Sequence, residues 1–264
     1  MDPNGLLCVA IVAAEAAAAI IRGRATDVSS VQRRAKGVAD FVSEVDTSAE
    51  KAIRDVILRE VPGAMVIAEE GSPNAPVDSA PTFIVDPLDG TTNFLHGYPA
   101  YAVSIGVLTD RAIVAGVVID VPANDVYTAT VGGGAFRNGE PIRVSSVTQP
   151  SQALIGTGFP FKNVELLDRY QRQFAKVTRH TAGIRRPGSA ALDLASVACG
   201  RFDGFWELNL MSWDYAAGML LVRAAGGVVT DAAGGNPAFG ESGIVAGNRV
   251  LHAWLLDVVT GETR

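Results

Sequence analysis

The chain has 264 residues, of which 48% are hydrophobic, and its formal net charge at pH 7 is −6. This length and apolar content suffice to bury a large core in one or two domains. No segment concentrates lysine and arginine as a surface that binds a nucleic-acid backbone does, so nucleic acid is disfavoured as a partner. The two cysteines, Cys8 and Cys199, imply no disulfide framework, and a reducing cytoplasm fits them.

The N-terminal segment, residues 6–21, is apolar and rich in alanine. Glu15 interrupts it and no basic residue precedes it. A signal peptide begins with positive charge, and a membrane span needs about 20 uncharged residues. We therefore predict a buried helix and no membrane partner. The alanine-rich face also suits close helix packing or a contact between subunits.

A second helix is predicted after residues 22–34, a polar stretch typical of a mobile loop. Thr47 and Glu50 have the spacing of a capping box, in which each side chain satisfies a free backbone N–H of the first turn. The helix should end near Glu60, because a Pro-Gly pair follows. This places the helix start at the acidic run that begins with Asp46.

The remaining elements alternate between strands and helices. Short links join consecutive strands in residues 101–130, which predicts an antiparallel sheet. The predicted strands are residues 64–68, 82–85, 103–108, 113–119, 125–130, 153–157, 202–207, 228–229 and 243–246. The predicted helices of the second half are residues 163–178, 190–198, 213–225 and a last one from about 249. The pattern indicates a layered α+β protein with helices packed on sheets.

Residues 84–94 carry the most informative motif, because an apolar strand runs straight into two carboxylates, Asp86 and Asp89. Pro87 cannot continue a sheet ladder, so the chain has to turn there. Gly90 lets the backbone approach a ligand closely, and a following helical turn would point free N–H groups at the carboxylates. Such an arrangement suits metal ions that bridge a phosphate.

A single Asp-x-x-Asp pair is more often a capped turn, in which the aspartates bind only backbone N–H groups. Three further acids weigh against that interpretation: Glu69 ends the preceding strand, Asp46 lies at a helix start, and Asp214 opens an otherwise apolar helix. Acids beside buried segments are costly unless they are paired or bind metal. Oxygen ligands suit Mg²⁺, and the absence of histidine or cysteine ligand spacing argues against zinc.

Glu69-Glu70, residues 86–94 and residues 213–218 together resemble the signature motifs of the inositol monophosphatase family. Four further segments follow in the order and spacing of that family: residues 41–46, 157–162, 188–191 and 226–228. The resemblance covers nearly the whole chain and is closest to the bacterial inositol-1-monophosphatases. It implies a single domain over residues 1–264, folded as an α/β/α/β/α sandwich of the sugar/inositol phosphatase type. The larger antiparallel sheet is expected in about residues 1–150, and the second half covers about residues 151–264.

The resemblance also implies a function: Mg²⁺-dependent hydrolysis of myo-inositol monophosphate by direct attack of a metal-activated water, with two to three ions, lithium inhibition and a homodimer. The expected ligands are Glu69, Asp86 and the Leu88 carbonyl for one ion and Asp86, Asp89 and Asp214 for a second, with Glu69 helping to hold a third. The expected catalytic residues are Glu69 and the pair Asp46 and Thr91, which orients the water.

The same resemblance assigns the substrate contacts. The N–H groups of Gly90 and Thr91 are expected to hold the phosphate. The residues expected to face the polyol are Asp89, Gly188, Ser189, Ala190 and Glu207. Ser189 stands where threonine is common in relatives, and Lys36 falls in the loop that covers the metals.

Three alternatives stay open at this point. The substrate could be fructose 1,6-bisphosphate, histidinol phosphate or a 3′-phosphonucleotide, although Glu207 favours a polyhydroxylated ring because a carboxylate accepts hydroxyl donors. The aspartyl-phosphate phosphatases are a mechanistic rival, but their motif is Asp-x-Asp, whereas Asp86 and Asp89 are three residues apart. A regulatory protein that uses the fold without catalysis would be free to lose these carboxylates.

Overall fold

The computed structural model describes residues 1–37, 40–71 and 80–261. In the first half of this described part, the helices are α1 (Pro3–Ala25), α2 (Glu44–Glu60) and α3 (Thr91–Leu95). The strands are β1 (Arg33–Gly37), β2 (Asp40–Ser43), β3 (Met65–Ala68), β4 (Thr82–Asp89), β5 (Ala102–Thr109), β6 (Ala112–Asp120), β7 (Asp125–Thr130), β8 (Gly134–Arg137) and β9 (Glu140–Pro141).

The second half of the described chain contains the predicted helices and strands, together with one short strand, Gly183–Arg185, that the sequence did not predict. Its helices are α4 (Leu167–His180), α5 (Ala190–Ala198), α6 (Ser212–Ala224) and α7 (Arg249–Thr260). Its strands are β10 (Leu154–Thr157), β11 (Gly183–Arg185), β12 (Gly204–Leu210), β13 (Val228–Asp231) and β14 (Ser242–Gly247). The helix predicted from residue 163 begins later, because a 3₁₀ turn over Val164–Leu166 precedes α4.

Helix α1 is the buried N-terminal helix that the sequence predicts. By length and composition it could cross a membrane, but in this fold it packs against α2 and the strands β5 and β6. Its buried face is made largely of alanines, which allows the close approach. Glu15, the charge that interrupts the apolar segment, pairs with Arg22 at 2.9 Å.

Two predictions near the N-terminus are wrong. The capping box of α2 is formed by Ser43 and Asp46, one turn before the predicted pair of Thr47 and Glu50. Ser43 ends β2, so the helix starts directly at the strand and the reciprocal bonds form there; Glu50 instead accepts N–H groups from the Glu70 segment. The predicted loop over residues 22–34 is also too long, because α1 continues to Ala25 and β1 begins at Arg33.

Two sheets form the centre of the fold. The seven-stranded sheet has the order β3-β4-β5-β6-β7-β8-β9, antiparallel except for the parallel pair β3–β4, and the five-stranded sheet has the order β11-β10-β12-β14-β13. Helices α1 and α2 cover one face of the larger sheet, α5 and α6 lie between the sheets, and α4 and α7 cover the smaller one. The α/β/α/β/α layering is therefore confirmed.

Helix α6 lies very close to the larger sheet because small residues face each other. A Cβ atom on Gly106 of β5 would come 2.8 Å from Cβ of Ala216, and one on Gly116 of β6 would come 3.1 Å from Cα of Ala217. The hydroxyl of Ser104 donates to the carbonyl of Trp213 at 3.3 Å. This packing brings the start of α6 to the end of β4.

Strand β4 contains a bulge where the sequence predicts a turn. Asp86 pairs with Ser104 and Asp89 with Ala102, so β4 has one residue more than β5 between these pairs. Residues three apart on a regular strand face opposite sides of the sheet. The extra residue, in the Pro87 segment, turns Asp89 to the same side of the sheet as Asp86. Both aspartates therefore line the same pocket.

Candidate active site

A pocket of about 400 Å³ opens at the junction of the larger sheet, α3, α6 and the smaller sheet. Its walls include most of the predicted site residues: Glu69, Asp86, Leu88, Asp89, Gly90, Thr91, Gly188, Ala190, Glu207 and Asp214. Asp46 and Ser189 reach it through hydrogen bonds to Thr91 and Asp89. Lys36 lies in β1, and its side chain falls outside the part of the chain that the structure describes.

Three carboxylates form the centre of the pocket. One oxygen from each of Asp86, Asp89 and Asp214 lies within 4.8 Å of the others. The backbone fixes the group: the Leu88 N–H donates to Asp86 at 3.0 Å, and the Met211 N–H donates to Asp214 at 2.7 Å. The second of these bonds is part of the N-terminal capping box of α6.

The electrostatics of this centre favour a bound cation. Burial, followed by the charges of Glu69, Asp89 and Asp214, raises the pKa of Asp86 well above its ordinary value. Burial also raises the pKa of Asp89 to about 6 and, together with the charge of Asp89, that of Asp214 to about 8. The three groups therefore resist being ionised together unless positive charge joins them. Closely spaced carboxylate oxygens are the donor set that Mg²⁺ prefers, so these residues fit the implied metal.

Glu69 stands at the edge of this cluster and is held from two sides. Glu50 of α2 accepts hydrogen bonds from the N–H groups of Glu70, at 2.9 Å, and Gly71, which fixes the end of β3. Across the pocket, Nζ of Lys162 lies 3.6 Å from Oε1 of Glu69. Glu50 lies four residues after Asp46, and Lys162 ends the segment 157–162, but the sequence analysis singled out neither as a site residue.

Thr91 and Asp46 form the pair that the resemblance implies. The Thr91 hydroxyl lies 2.8 Å from Oδ1 of Asp46 and 3.1 Å from the Leu88 carbonyl. The other oxygen of Asp46 accepts the Ser43 N–H at 2.9 Å. Burial raises the pKa of Asp46, while the hydrogen bonds from Ser43 and Thr91 oppose that rise. Ser43, the capping residue of α2, thus orients the carboxylate that accepts the hydrogen bond of the Thr91 hydroxyl.

Gly90 brings the start of α3 to the carboxylates. Its φ of 97° lies in the left-handed region, and a Cβ atom there would come 2.8 Å from the Ala100 carbonyl. A residue with a side chain would be strained and would clash. Among the described residues, no side chain caps α3, and this leaves the first N–H groups of the helix for an anion in the pocket.

The opposite wall of the pocket carries the residues predicted to face the polyol. Ser189 caps α5 and donates to Asp89 at 2.6 Å. Glu207 projects from β12, and burial followed by the charge of Asp214 raises its pKa to about 8. Its carboxylate fills the space that a side chain on Gly158 would occupy.

Arg186 and Asn93 also line the pocket, and the sequence analysis did not single them out. The guanidinium of Arg186 lies over the rings of Phe159 and Phe161, with its carbon atom 5.1 and 5.0 Å from their centroids. Its charge opposes the rise in the pKa of Glu207. The position of Arg186 two residues before Gly188 was the one available signal.

Comparison with known proteins identifies the family of this chain. A model of the inositol monophosphatase family matches residues 2–263. An inositol-1-monophosphatase from Rhizobium meliloti is 45% identical over 233 residues, or 88% of each chain. The Nus factor SuhB of Escherichia coli K12 is 42% identical over 254 residues, which cover 96% of this chain and 95% of that protein.

A solved structure gives the same result for the fold. The extragenic suppressor protein suhB from Bartonella henselae superposes with a TM-score of 0.90 at 41% identity, covering 96% of this chain and 98% of that one. The family match, these relatives and the carboxylate pocket agree with one another. The chain belongs to the inositol monophosphatase family.

Proposed function

We propose that this protein is a magnesium-dependent phosphatase that hydrolyses myo-inositol monophosphate to inositol and phosphate. The observation that carries the proposal is the convergence of Glu69, Asp86, Asp89 and Asp214 on one pocket beside the start of α3. These four side chains, with the Leu88 carbonyl, would hold two to three Mg²⁺ ions. When bound, the ions lower the pKa of water and stabilise negative charge on the phosphate and the leaving oxygen.

The chain's own groups orient the attacking water. The Thr91 hydroxyl has one hydrogen, and Asp46 at 2.8 Å is its nearer acceptor. With that hydrogen donated, the Thr91 oxygen accepts a hydrogen bond from water and so directs a water lone pair into the pocket. The partners of the Thr91 hydroxyl are the Asp46 carboxylate and the Leu88 carbonyl, and neither a histidine nor an amine that would activate a hydroxyl nucleophile is among them, so we assign Thr91 to orienting water.

The substrate would lie between the two halves of the pocket. The N–H groups of Gly90 and Thr91 would hold the phosphate, where the negative charge of the transition state is spread over the oxygens. Glu207 and the loop containing Gly188 face the remaining space, and a carboxylate there accepts hydrogen bonds from ring hydroxyls. The Glu207 carboxylate in this wall supports a polyhydroxylated substrate.

A panel of phosphate-release assays tests the proposal. Rates on myo-inositol 1-phosphate, fructose 1,6-bisphosphate, histidinol phosphate and a 3′-phosphonucleotide are compared with Mg²⁺ and with EDTA. We expect the highest kcat/KM on inositol 1-phosphate and no turnover in EDTA. A higher kcat/KM on any of the other three would reassign the substrate within the family.

A regulatory role in addition to catalysis is favoured by one observation, the name Nus factor carried by relatives that are 42% identical. The sequence analysis expects no nucleic-acid partner, and the names of these relatives do not support that expectation. A folded but inactive Asp89→Asn protein separates the two roles. Restoration of growth by this variant in a deletion strain would show a role that needs no turnover.

The homodimer, the lithium inhibition and the cytoplasmic location implied by the resemblance are parts of the same proposal. Light scattering at micromolar concentration checks the dimer directly. A monomer there would remove that part of the proposal and leave the catalytic part intact.

A further inference from the structure

The loop of residues 187–191 carries the expected polyol contacts. Two side chains from the first half of the chain hold it, one that accepts hydrogen bonds from the loop and one that donates hydrogen bonds to it. On one side, Oδ2 of Asp89 accepts hydrogen bonds from the Ser189 hydroxyl at 2.6 Å and from the Ala191 N–H at 2.8 Å. Asp89 therefore binds the donors of this loop. The carbonyls of the same loop bind a different residue, Asn93.

Asn93 binds three carbonyl groups through its amide nitrogen. Nδ2 lies 2.6 Å from the carbonyl oxygen of Ala100, 2.9 Å from that of Pro187 and 3.3 Å from that of Gly188. The residue itself is fixed, because it lies within α3 and its own carbonyl accepts the Tyr98 N–H at 2.9 Å. One amide thus joins two segments that are 94 residues apart.

These carbonyl contacts lie beside glycines that are expected to face the substrate. The Ala100 oxygen is the atom that a Cβ on Gly90 would approach at 2.8 Å, so it packs against the start of α3. Gly188 has a φ of 98°, and a Cβ atom there would lie 3.0 Å from Nδ2 of Asn93. The amide therefore contacts the backbone on the phosphate side and on the polyol side of the pocket.

We propose that Asn93 is a positioning residue that sets the spacing between the phosphate-binding and polyol-binding sides of the substrate site. This role rests on the proposed function. Asn93 acts through the 187–191 loop, and the reacting atoms are left to the carboxylates and Thr91. Asp89 also holds this loop, but its charge is shared with the metal site. The neutral amide of Asn93 gives the loop an anchor whose strength does not depend on metal occupancy.

The test uses Asn93→Asp, which keeps the shape of the side chain but turns two donors into acceptors facing three carbonyls. Asn93→Ala removes the contacts without adding charge. We expect both to raise KM for myo-inositol 1-phosphate by about tenfold, with Asn93→Asp at least as affected as Asn93→Ala. The inhibition constant of inorganic phosphate, which needs only the metal side, should stay within about twofold.

Asn248→Ala is the matched control. Asn248 also donates Nδ2 to two distant carbonyls, Val147 at 2.7 Å and Ser145 at 3.1 Å, but it caps α7 outside the pocket. Its loss should lower the melting temperature without changing KM. This separates a general loss of stability from a change in the substrate site.

Three outcomes would count against the role. An unchanged KM in an active Asn93→Asp protein would overturn the positioning role and leave the proposed function intact. It would show that the shape of the side chain suffices without its hydrogen-bond donors. Equal increases in KM and in the phosphate inhibition constant would show damage to the metal side instead. No turnover of inositol 1-phosphate by the wild type would overturn the proposed function and this role with it. If Asn93→Asp does not fold, Asn93→Ala carries the same comparison.

Discussion

Replacing Asp89 by asparagine removes one charge from the carboxylate centre while keeping the local hydrogen bonds. The asparagine oxygen can still accept the Ser189 hydroxyl and the Ala191 N–H, which lie 2.6 and 2.8 Å from Oδ2 of Asp89. The folded protein raises the pKa of Asp89 from 3.8 to about 6. When Asp89 is ionised at pH 7, a pKa difference of this size lowers the free energy of unfolding by about 3 kcal/mol.

The sign of the effect follows from the direction of the pKa change. The pKa of Asp89 is higher in the folded protein than in the unfolded chain. The contribution of Asp89 to the free energy of unfolding is therefore fully present below pH 3.8 and is lost as the pH rises through about 6. In EDTA at pH 7 the Asp89→Asn protein should therefore be more stable than the wild type, by up to about 3 kcal/mol. Its stability should also change less with pH over that window.

Magnesium should narrow this difference. A ligand that binds only the folded state stabilises it by RT ln(1 + [L]/Kd), about 2.7 kcal/mol at a hundredfold excess over Kd. The Asp89→Asn protein has one ligand fewer and should gain less. Urea unfolding at several pH values, with EDTA and with Mg²⁺, measures both effects.

Asp203→Asn is the control for this experiment. Asp203 is also buried and accepts a backbone N–H, that of Leu154 at 2.7 Å, but it lies outside the pocket. Its replacement should leave the gain from Mg²⁺ unchanged. An Asp89→Asn protein that is less stable than the wild type in EDTA at pH 7, or equal stabilisation of both proteins by Mg²⁺, would show that Asp89 is not an ionised ligand held in a repulsive carboxylate centre.

Three further predictions follow from the site. Thr91→Val keeps the volume of the side chain but removes the water-orienting hydroxyl, so kcat should fall about a hundredfold in phosphate-release assays, while the gain in stability from Mg²⁺ persists. Lys162→Met removes a positive charge 3.6 Å from Glu69 and should tighten Mn²⁺ binding, followed by electron paramagnetic resonance, about two- to fivefold; weaker binding would contradict it. Lithium chloride should inhibit turnover by competing at the Asp86, Asp89 and Asp214 group, and equal inhibition by sodium chloride would contradict a specific site.

The sequence predicted the layered fold because its signals are local. Apolar strands, helix periodicity and short links between strands all lie within a few residues. The family motifs predicted which carboxylates bind metal. The structure brings these residues, Glu69, Asp86, Asp89 and Asp214, into one pocket. What the residues alone did not give was the bulge in β4, since whether Asp86 and Asp89 face the same side depends on pairing with β5.

The start of α2 at Ser43 shows why the ends of helices are harder to predict from sequence than the helices themselves. Two consecutive pairs compete for the capping box, Ser43 with Asp46 and Thr47 with Glu50, and both fit the local pattern. The end of β2 decides between them, because Ser43 lies at the junction of strand and helix. This choice also matters for the site, since it frees Glu50 to hold the segment after Glu69.

The residues missed by sequence analysis all act across long separations. Lys162 reaches Glu69 from a loop 93 positions later in the chain. Asn93 was within the motif, but its contacts with Pro187 and Gly188 arise only when the two halves pack together. A motif indicates which residues carry the chemistry, whereas the packing of distant segments decides which residues position them.

The most direct test of the account is phosphate release from myo-inositol 1-phosphate by the wild type and Asp89→Asn, measured side by side with Mg²⁺ and with EDTA. We predict turnover only by the wild type in Mg²⁺, with a loss of two or more orders of magnitude in Asp89→Asn, about the effect of removing one charged group that acts in the transition state. Turnover of wild type in EDTA, or near-normal turnover of Asp89→Asn, would show that these carboxylates do not form a catalytic metal site.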